Sequence, residues 1–130
     1  MEFDNFDFGQ KEADGTLQSV ILHEMGHVIG IGSIWGTKHV LAGAGTANPT
    51  FSGSKADKEW AKLSKLPPKH LPVENHGGDG TADSHWRETV FGNELMTGFI
   101  SGITLPLRKM TVASLADLGY AERRPATTVR

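Results

Sequence analysis

Two histidines four residues apart, His23 and His27, constrain this chain more than any other feature of its sequence. They frame the segment HEMGH, in which Glu24 is the second residue. Residues four apart on a helix lie on the same face, so both imidazoles can bind one metal ion. Glu24 is turned about 100° away around the helix axis, where its carboxylate can reach a water at the metal rather than the metal itself. The pattern therefore predicts a zinc site with Glu24 as general base.

The residues around this motif predict that it lies on a helix. Asp14 or Thr16 is suited to the N-cap position, and Gly30 and Gly32 are suited to ending the helix. Between them, apolar residues recur at helical spacing at positions 17, 20, 21 and 28. The alternative is a surface helix with two unrelated histidines. That alternative does not require a capped helix with an apolar stripe, so the context favours the metal site.

Composition removes several other classes of function. The chain has 130 residues and no cysteine, which excludes disulfides, thiolate ligands and cysteine nucleophiles. A metal must then be held by His, Asp or Glu.

The net charge of −2 argues against a nucleic-acid partner, and the lack of a run of about 18 apolar residues predicts no membrane span. Met1–Gln10 has no signal-peptide character, so we expect a chain that is not secreted in this form or is part of a longer precursor. The sequence does not indicate an oligomeric state.

The rest of the chain predicts a single α+β domain over residues 1–130 that is mostly helical, with little sheet. Met1–Phe8 is a candidate strand. Leu71–Asn75 is a candidate edge strand, because it contains Pro72. Residues 36–53 are rich in Gly, Ala and Thr, and they predict a loop.

Two further helices are predicted. Ser54–Leu66 is amphipathic, and the two prolines that follow it end the helix. The apolar side of this helix carries Ala56, Trp60 and Leu63. The last helix is expected to have Thr111 as its N-cap and to end at Gly119.

A catalytic zinc site needs a third protein ligand beyond the two helical histidines. The motif extends to Gly30 as H-E-x-x-H-x-x-G, a form that marks the metzincin clan. The usual third histidine of that clan follows three residues later, but Ser33 stands there. The chain instead resembles the leishmanolysin family, especially its cysteine-free bacterial relatives, in which an insertion separates the glycine from the third histidine. The segments that carry the resemblance are Val20–Gly32, Val73–Gly78, Ser84–Glu88, Asn93–Gly98 and Thr111–Tyr120.

The resemblance implies the remaining site residues. It implies His85, which lies 58 residues after His27, as the third zinc ligand. It also implies that Met96 is the Met-turn methionine, packed beneath the zinc without bonding to it. His76 is the main rival for the third position, because it lies in a Gly-rich turn where a ligand is geometrically plausible. His85 is preferred because the segment Ser84–Trp86 carries the resemblance and His76 does not.

The resemblance further implies a zinc-dependent endopeptidase that hydrolyses peptide bonds in protein or peptide substrates, with Glu24 as base. It implies a protein that is extracellular or secreted as part of a longer precursor. A metzincin catalytic domain also has an N-terminal sheet subdomain, which only Met1–Phe8 could represent here, so we expect a fragment or reduced form. The alternative is a non-catalytic zinc-binding module derived from a metzincin. Glu24 counts against this alternative, because a purely structural site needs no base.

Four other residues have an expected role that is structural rather than chemical. Asp79 and Asp83 flank the Gly-rich turn and could bind calcium. Plain turn residues are favoured, because the ligand density of a calcium loop is missing. Trp35 and Trp86 are expected to pack in the core rather than to line a substrate cleft, and Trp86, beside a ligand, could do both.

Overall fold

The computed structural model of this protein describes residues 17–99 and 105–120. In chain order the elements are α1 (Leu17–Val28), β1 (Leu41–Ala42), β2 (Thr50–Phe51), α2 (Ser54–Ser64), β3 (Leu71–Pro72), α3 (Glu88–Phe91) and α4 (Lys109–Asp117). Helices outweigh strands, in agreement with the predicted α+β class with little sheet. The candidate strand Met1–Phe8 and the candidate N-caps Asp14 and Thr16 lie outside the described residues. None of the helices in these two ranges is long and apolar enough to cross a membrane.

The three short strands form one antiparallel sheet in the order β1-β2-β3. Phe51 of β2 pairs with Leu41 on one side and with Leu71 on the other. Pro72 lies on β3 at the edge of the sheet, as predicted for a residue that has no N–H to donate. The prediction of a loop over residues 36–53 is wrong for β1 and β2. Strands of two residues are too short to produce a periodic sequence pattern.

The core is centred on three aromatic side chains that are completely buried, Trp35, Phe51 and Trp86. Their ring centroids lie 4.8 to 5.4 Å apart, within the usual range for favourable aromatic pairs. Trp86 also donates its indole N–H to the hydroxyl of Thr111 over 2.8 Å. The expectation that Trp35 and Trp86 pack in the core is confirmed. Since Trp86 follows His85 directly, this core joins the sheet to the segment that carries the predicted third ligand.

Helix α2 packs along α4. Ala56 and Trp60 of α2 are buried, as the amphipathic pattern predicts. Leu63 does not follow them: 52% of its surface is exposed, and it lines a groove on the protein surface. The helix ends at Ser64, slightly before the predicted end at Leu66. Leu63 therefore lies in the last turn of the helix, beyond its buried part.

Helix α4 begins before its predicted cap. The residue at the N-cap position is Arg108, so the prediction that Thr111 is the N-cap is wrong. The Thr111 side chain is completely buried and donates its hydroxyl to the carboxylate of Glu94 instead. Gly119 follows the helix with a φ of 110°, which fits the predicted stop at this residue.

A carboxylate from α4 caps the N-terminus of α2. Asp117 accepts hydrogen bonds from the backbone N–H groups of Lys55 and Ala56 at 3.0 and 2.9 Å. The N-cap residue of α2 is Gly53, which has no side chain that could accept these bonds. Its missing Cβ also leaves the space that the Asp117 carboxylate occupies. The negative charge lies at the positive end of the helix dipole, which stabilises the pair further.

We predict that Asp117→Ala lowers the free energy of unfolding by about 1–2 kcal/mol, the usual cost of losing an N-cap acceptor. Asp79→Ala is the control, because Asp79 is an exposed turn residue, and it should change stability by less than about 0.5 kcal/mol. Urea denaturation followed by tryptophan fluorescence measures both variants. Equal stability of Asp117→Ala and the wild type would show that α2 does not depend on this cap.

Candidate metal centre

Three imidazole rings converge on one point. The Nε2 atoms of His23 and His27 are 3.0 Å apart. The Nε2 atom of His85 lies 3.0 Å from that of His27 and 3.2 Å from that of His23. In a tetrahedral site with Zn–N distances of about 2.05 Å, the ligand nitrogens lie about 3.3 Å apart, so this spacing fits one ion. Within residues 17–99 and 105–120, this is the only group of three His, Cys, Asp or Glu side chains close enough to share a metal.

Backbone carbonyls fix the tautomer of each ring. Each Nδ1 atom lies 2.7 to 2.9 Å from one carbonyl oxygen: that of Leu95 for His23, of Ile31 for His27 and of Thr81 for His85. A carbonyl oxygen can only accept a hydrogen bond, so each Nδ1 carries the proton. Nε2 is therefore the ring atom left to bind a metal, and the three Nε2 atoms point toward the shared centre, as they do in metal-binding histidines.

This arrangement calls for a positive charge at its centre. Lone pairs on three nitrogens within 3.2 Å of one another repel unless a proton or a metal ion lies between them. A proton is disfavoured, because burial lowers the pKa of His85 to about 4 and also lowers the pKa of His23. Both rings are thus uncharged at neutral pH. A metal cation is the species that this set of nitrogens fits.

The end of α1 lies close to the segment that brings His85. Gly30 and Gly32 have φ values of 125° and 76°, in the region that favours glycine, and the predicted end of the helix is confirmed. A Cβ at Gly32 would overlap the backbone carbonyl of Ser84, the residue before His85. The absence of a side chain at Gly32 therefore lets the two segments approach.

Backbone pairing on both sides holds the residues around His85. The carbonyl of His85 accepts a hydrogen bond from the N–H of Glu74 at 2.8 Å. On the other side, the N–H of Trp86 donates to the carbonyl of Met96 at 3.0 Å. Residue 86 forms one β-bridge with each neighbouring segment. The position of the His85 ring is thus set by two segments that are distant from it in sequence.

Met96 packs against the helix that carries the first two histidines. It is completely buried, and a Cβ at Gly26 would lie only 2.7 Å from its sulfur. Residues 94–97 form a tight turn, in which the N–H and the hydroxyl of Thr97 donate to the carbonyl of Glu94 at 3.2 and 2.9 Å. One turn therefore provides both the packing against α1 and the carbonyl that orients the first histidine.

Glu24 lines an open cleft beside the histidines. The residue is partly buried, and the cleft has a volume of about 280 Å³. His23 and His85 line the cleft together with Glu24. Its other lining residues are mainly small or apolar, among them Val20, Gly98, Phe99 and Leu105. Glu24 and two of the histidines thus border one common space.

The other metal-ligand candidates lie apart from this cluster. His76, the rival third ligand, is exposed, and its Nδ1 atom lies 3.7 Å from the buried carboxylate of Glu74. Asp83 accepts a hydrogen bond from the N–H of Gly45 at 3.0 Å. No group of metal-ligand side chains in the described ranges includes Asp79 or Asp83, so calcium binding finds no support.

Sequence reasoning missed the groups that orient the rings. Leu95, Ile31 and Thr81 act through backbone carbonyls, and no side-chain pattern marks a group that every residue has. Glu94 was also given no role, although it is completely buried and its carboxylate accepts three hydrogen bonds. The available signal for Glu94 is its place in Asn93–Gly98, one of the segments that carry the resemblance.

We predict that Gly32→Ala weakens zinc binding about tenfold or more, whereas Gly36→Ala leaves it unchanged. At position 32 a methyl group is strained at a φ of 76° and overlaps the Ser84 carbonyl, which moves His85 away from the other rings. Strain of this kind costs about 1–3 kcal/mol. At position 36 nothing lies within 4 Å of an added methyl. Zinc titration against a competing chelator measures the affinity, and equal values for the two variants would show that this approach does not position His85.

The family model for leishmanolysin matches residues 5–124, which is most of the chain. No curated protein and no solved structure gives a significant match. The family is one of zinc-dependent peptidases, and the three convergent histidines are compatible with such a metal site. Because the family model matches most of the chain, this protein belongs to the leishmanolysin family.

Proposed function

We propose that this protein is a zinc-dependent endopeptidase in which His23, His27 and His85 hold the metal and Glu24 is the general base. One observation carries the proposal: three Nε2 lone pairs, set by backbone carbonyls, converge beside a carboxylate in an open cleft. Family membership supports the same class of reaction at the level of a metallopeptidase. Protein or peptide substrates follow from that class.

The donor set suits zinc. Neutral imidazoles are ligands that zinc favours, and three of them leave the fourth position of a tetrahedral ion open. When bound, zinc supplies a Lewis acid that lowers the pKa of water to about 7 and polarises a carbonyl. With the proton on Nδ1, each ring presents Nε2 as its ligand atom, and Nε2 is the atom that faces the shared centre.

Glu24 moves the proton in this mechanism. It follows His23 on α1, so it points about 100° away from that ring around the helix axis. It lines the same cleft as His23 and His85. Its carboxylate takes a proton from the attacking water and passes it to the leaving amine. The water oxygen first forms a C–O bond to the carbonyl carbon, the C–N bond of the peptide then breaks, and no covalent bond to the enzyme is needed.

We assign Met96 as the Met-turn methionine of a metzincin fold. Its side chain is completely buried and packs against Gly26, which lies between His23 and His27 on the helix. It also lies in the tight turn of residues 94–97. Its role in this proposal is to support the helix beneath the ligands.

We also propose that the protein acts outside the cell, because peptidases of the leishmanolysin family are extracellular or surface proteases. The proposed ligands are histidines and the chain has no cysteine, so the site does not depend on the redox state of its surroundings.

We predict one zinc ion per chain, lost in His85→Ala and retained in His76→Ala. The Nε2 atom of His85 lies within 3.2 Å of those of both other rings, whereas His76 is exposed and outside the group. Loss of a direct ligand should lower affinity by more than the roughly 10–100-fold typical of losing an outer-shell partner. Elemental analysis after dialysis measures the metal content. Zinc lost from His76→Ala and kept by His85→Ala would show that the third ligand is misassigned.

We predict that Glu24→Gln keeps its zinc and its fold but loses peptidase activity by roughly 100-fold or more, because the variant keeps the size of the side chain and removes its basicity. Glu59→Gln is the matched control: Glu59 pairs with Lys62 on α2 and does not line the cleft, so full activity is expected. Cleavage of a generic protein substrate, with and without a chelator, measures the activity.

Three outcomes of this experiment would contradict the proposal. Loss of zinc in Glu24→Gln would show that Glu24 is a ligand. Full activity in that variant would show that it is not the base. A wild-type chain that binds zinc but cleaves no protein would favour the alternative, a non-catalytic zinc-binding module.

A further inference from the structure

Glu94 is a buried carboxylate near the metal centre to which the mechanism above gives no role. Its side chain is completely buried, and burial raises its pKa. In the described ranges no Lys, Arg or His side chain forms an ion pair with it. The charge of Arg108 opposes this rise in pKa, but burial is the stronger influence. Burying a carboxyl group that forms no ion pair costs free energy, so an apolar residue would serve packing alone better. The position of this carboxylate therefore calls for an explanation beyond packing.

The carboxylate joins α4 to the turn of residues 94–97. One oxygen accepts a hydrogen bond from the N–H of Met96 at 2.6 Å. The other oxygen accepts from the N–H of Arg108 at 3.1 Å and from the hydroxyl of Thr111. One side chain thus satisfies one donor in its own turn and two donors at the start of α4. An amide has only one acceptor atom and an apolar residue has none, so neither could serve both positions.

The hydrogen bond from Met96 to Glu94 is linked to the proposed ligand His23 through one peptide group. The N–H of Met96 and the C=O of Leu95 belong to the same planar peptide group, so their directions are fixed relative to each other. Glu94 holds the N–H of this group at 2.6 Å, and Nδ1 of His23 donates to its C=O at 2.7 Å. Any rotation of the peptide plane that breaks the bond between Glu94 and the Met96 N–H also moves the Leu95 carbonyl, which accepts the hydrogen bond from His23.

A second arm of the same network reaches the other side of the centre. The Thr111 hydroxyl, which donates to Glu94, accepts the indole N–H of Trp86 at 2.8 Å. Trp86 is the neighbour of His85 in sequence. Glu94 therefore links Trp86, the residue after His85, to the peptide group that orients His23.

We propose that Glu94 is a positioning residue of the metal centre, which aims the Leu95 carbonyl at Nδ1 of His23 by holding the peptide group between residues 95 and 96. The inference rests on the zinc site proposed above. By accepting the N–H of Met96, the Glu94 oxygen also polarises the peptide group, which makes the Leu95 carbonyl a stronger acceptor and the far nitrogen of the His23 ring a better donor to a metal. A carboxylate hydrogen-bonded directly to a metal-binding histidine makes the ring a better donor to the metal. Here the peptide group passes that effect from Glu94 to the His23 ring.

The test compares Glu94→Gln with Asp117→Asn. Both variants replace a carboxylate that accepts backbone N–H bonds by its amide, but Asp117 holds the start of α2 and no residue of the metal centre. Each protein is titrated with Zn²⁺ and with Co²⁺ against a competing chelator. The visible absorption of the Co²⁺ form reports the geometry of the ligands, and thermal melting reports stability separately.

We expect both variants to melt at lower temperature than the wild type, and only Glu94→Gln to bind zinc about 10–100-fold more weakly with an altered Co²⁺ spectrum. Wild-type affinity and an unchanged spectrum in Glu94→Gln would overturn the proposal. An equal loss of affinity in Asp117→Asn would also overturn it, because weaker binding would then follow from lower stability alone. If Glu94→Gln does not fold, Glu94→Asp is judged by the same criteria, since it keeps the charge and shortens the reach.

These measurements separate the inference from the proposed activity. A wild-type protein that binds Co²⁺ through three histidines but cleaves nothing contradicts the endopeptidase proposal, while the comparison of affinities and spectra still decides the role of Glu94. A wild-type protein that binds no metal through these histidines overturns both.

Discussion

The hydrogen bonds from three histidine Nδ1 atoms to backbone carbonyls are the interaction on which the rest of the centre depends. They decide where each proton lies, and therefore where each lone pair points. The three carbonyls come from different parts of the chain: Ile31 from the turn after α1, Thr81 from the loop before His85, and Leu95 from a turn ahead of α4. Three irregular segments of the described backbone thus bring one acceptor each to the Nδ1 side of a ring.

The candidate site is predictable from the sequence to the extent that its interactions are local. His23, Glu24 and His27 lie within one helix, so their spacing alone brings the two rings to one face and turns the carboxylate aside. His85 is 58 residues from His27, and no periodicity reaches that far. Its place in the structure depends on the close passage of Gly32 past the backbone before it, and only the family resemblance pointed to it beforehand. The roles of these residues as ligands and base stay predictions.

The same distinction explains the errors in the fold. Thr111 has the side chain of a good N-cap, but its hydroxyl is engaged by Trp86 and Glu94, and such tertiary bonds outweigh a local preference. Leu63 has the right helical spacing to be buried, yet the buried face of α2 does not extend to it. Partners elsewhere in the chain thus decide the role of Thr111, whereas Leu63 is exposed because it lies in the last turn of α2.

The contact between Gly32 and Ser84 closes a long excursion of the chain. Residues 33–83 leave the centre at the end of α1 and return to it next to His85. The entropy of closing a loop grows only with the logarithm of its length, by about 0.6 kcal/mol for each doubling. Exposed stretches of the excursion that form no bond to its ends, such as residues 66–68, can therefore gain or lose residues at little entropic cost. The number of residues between the second and third histidines can thus vary within such exposed stretches, whereas the meeting of the two ends is fixed.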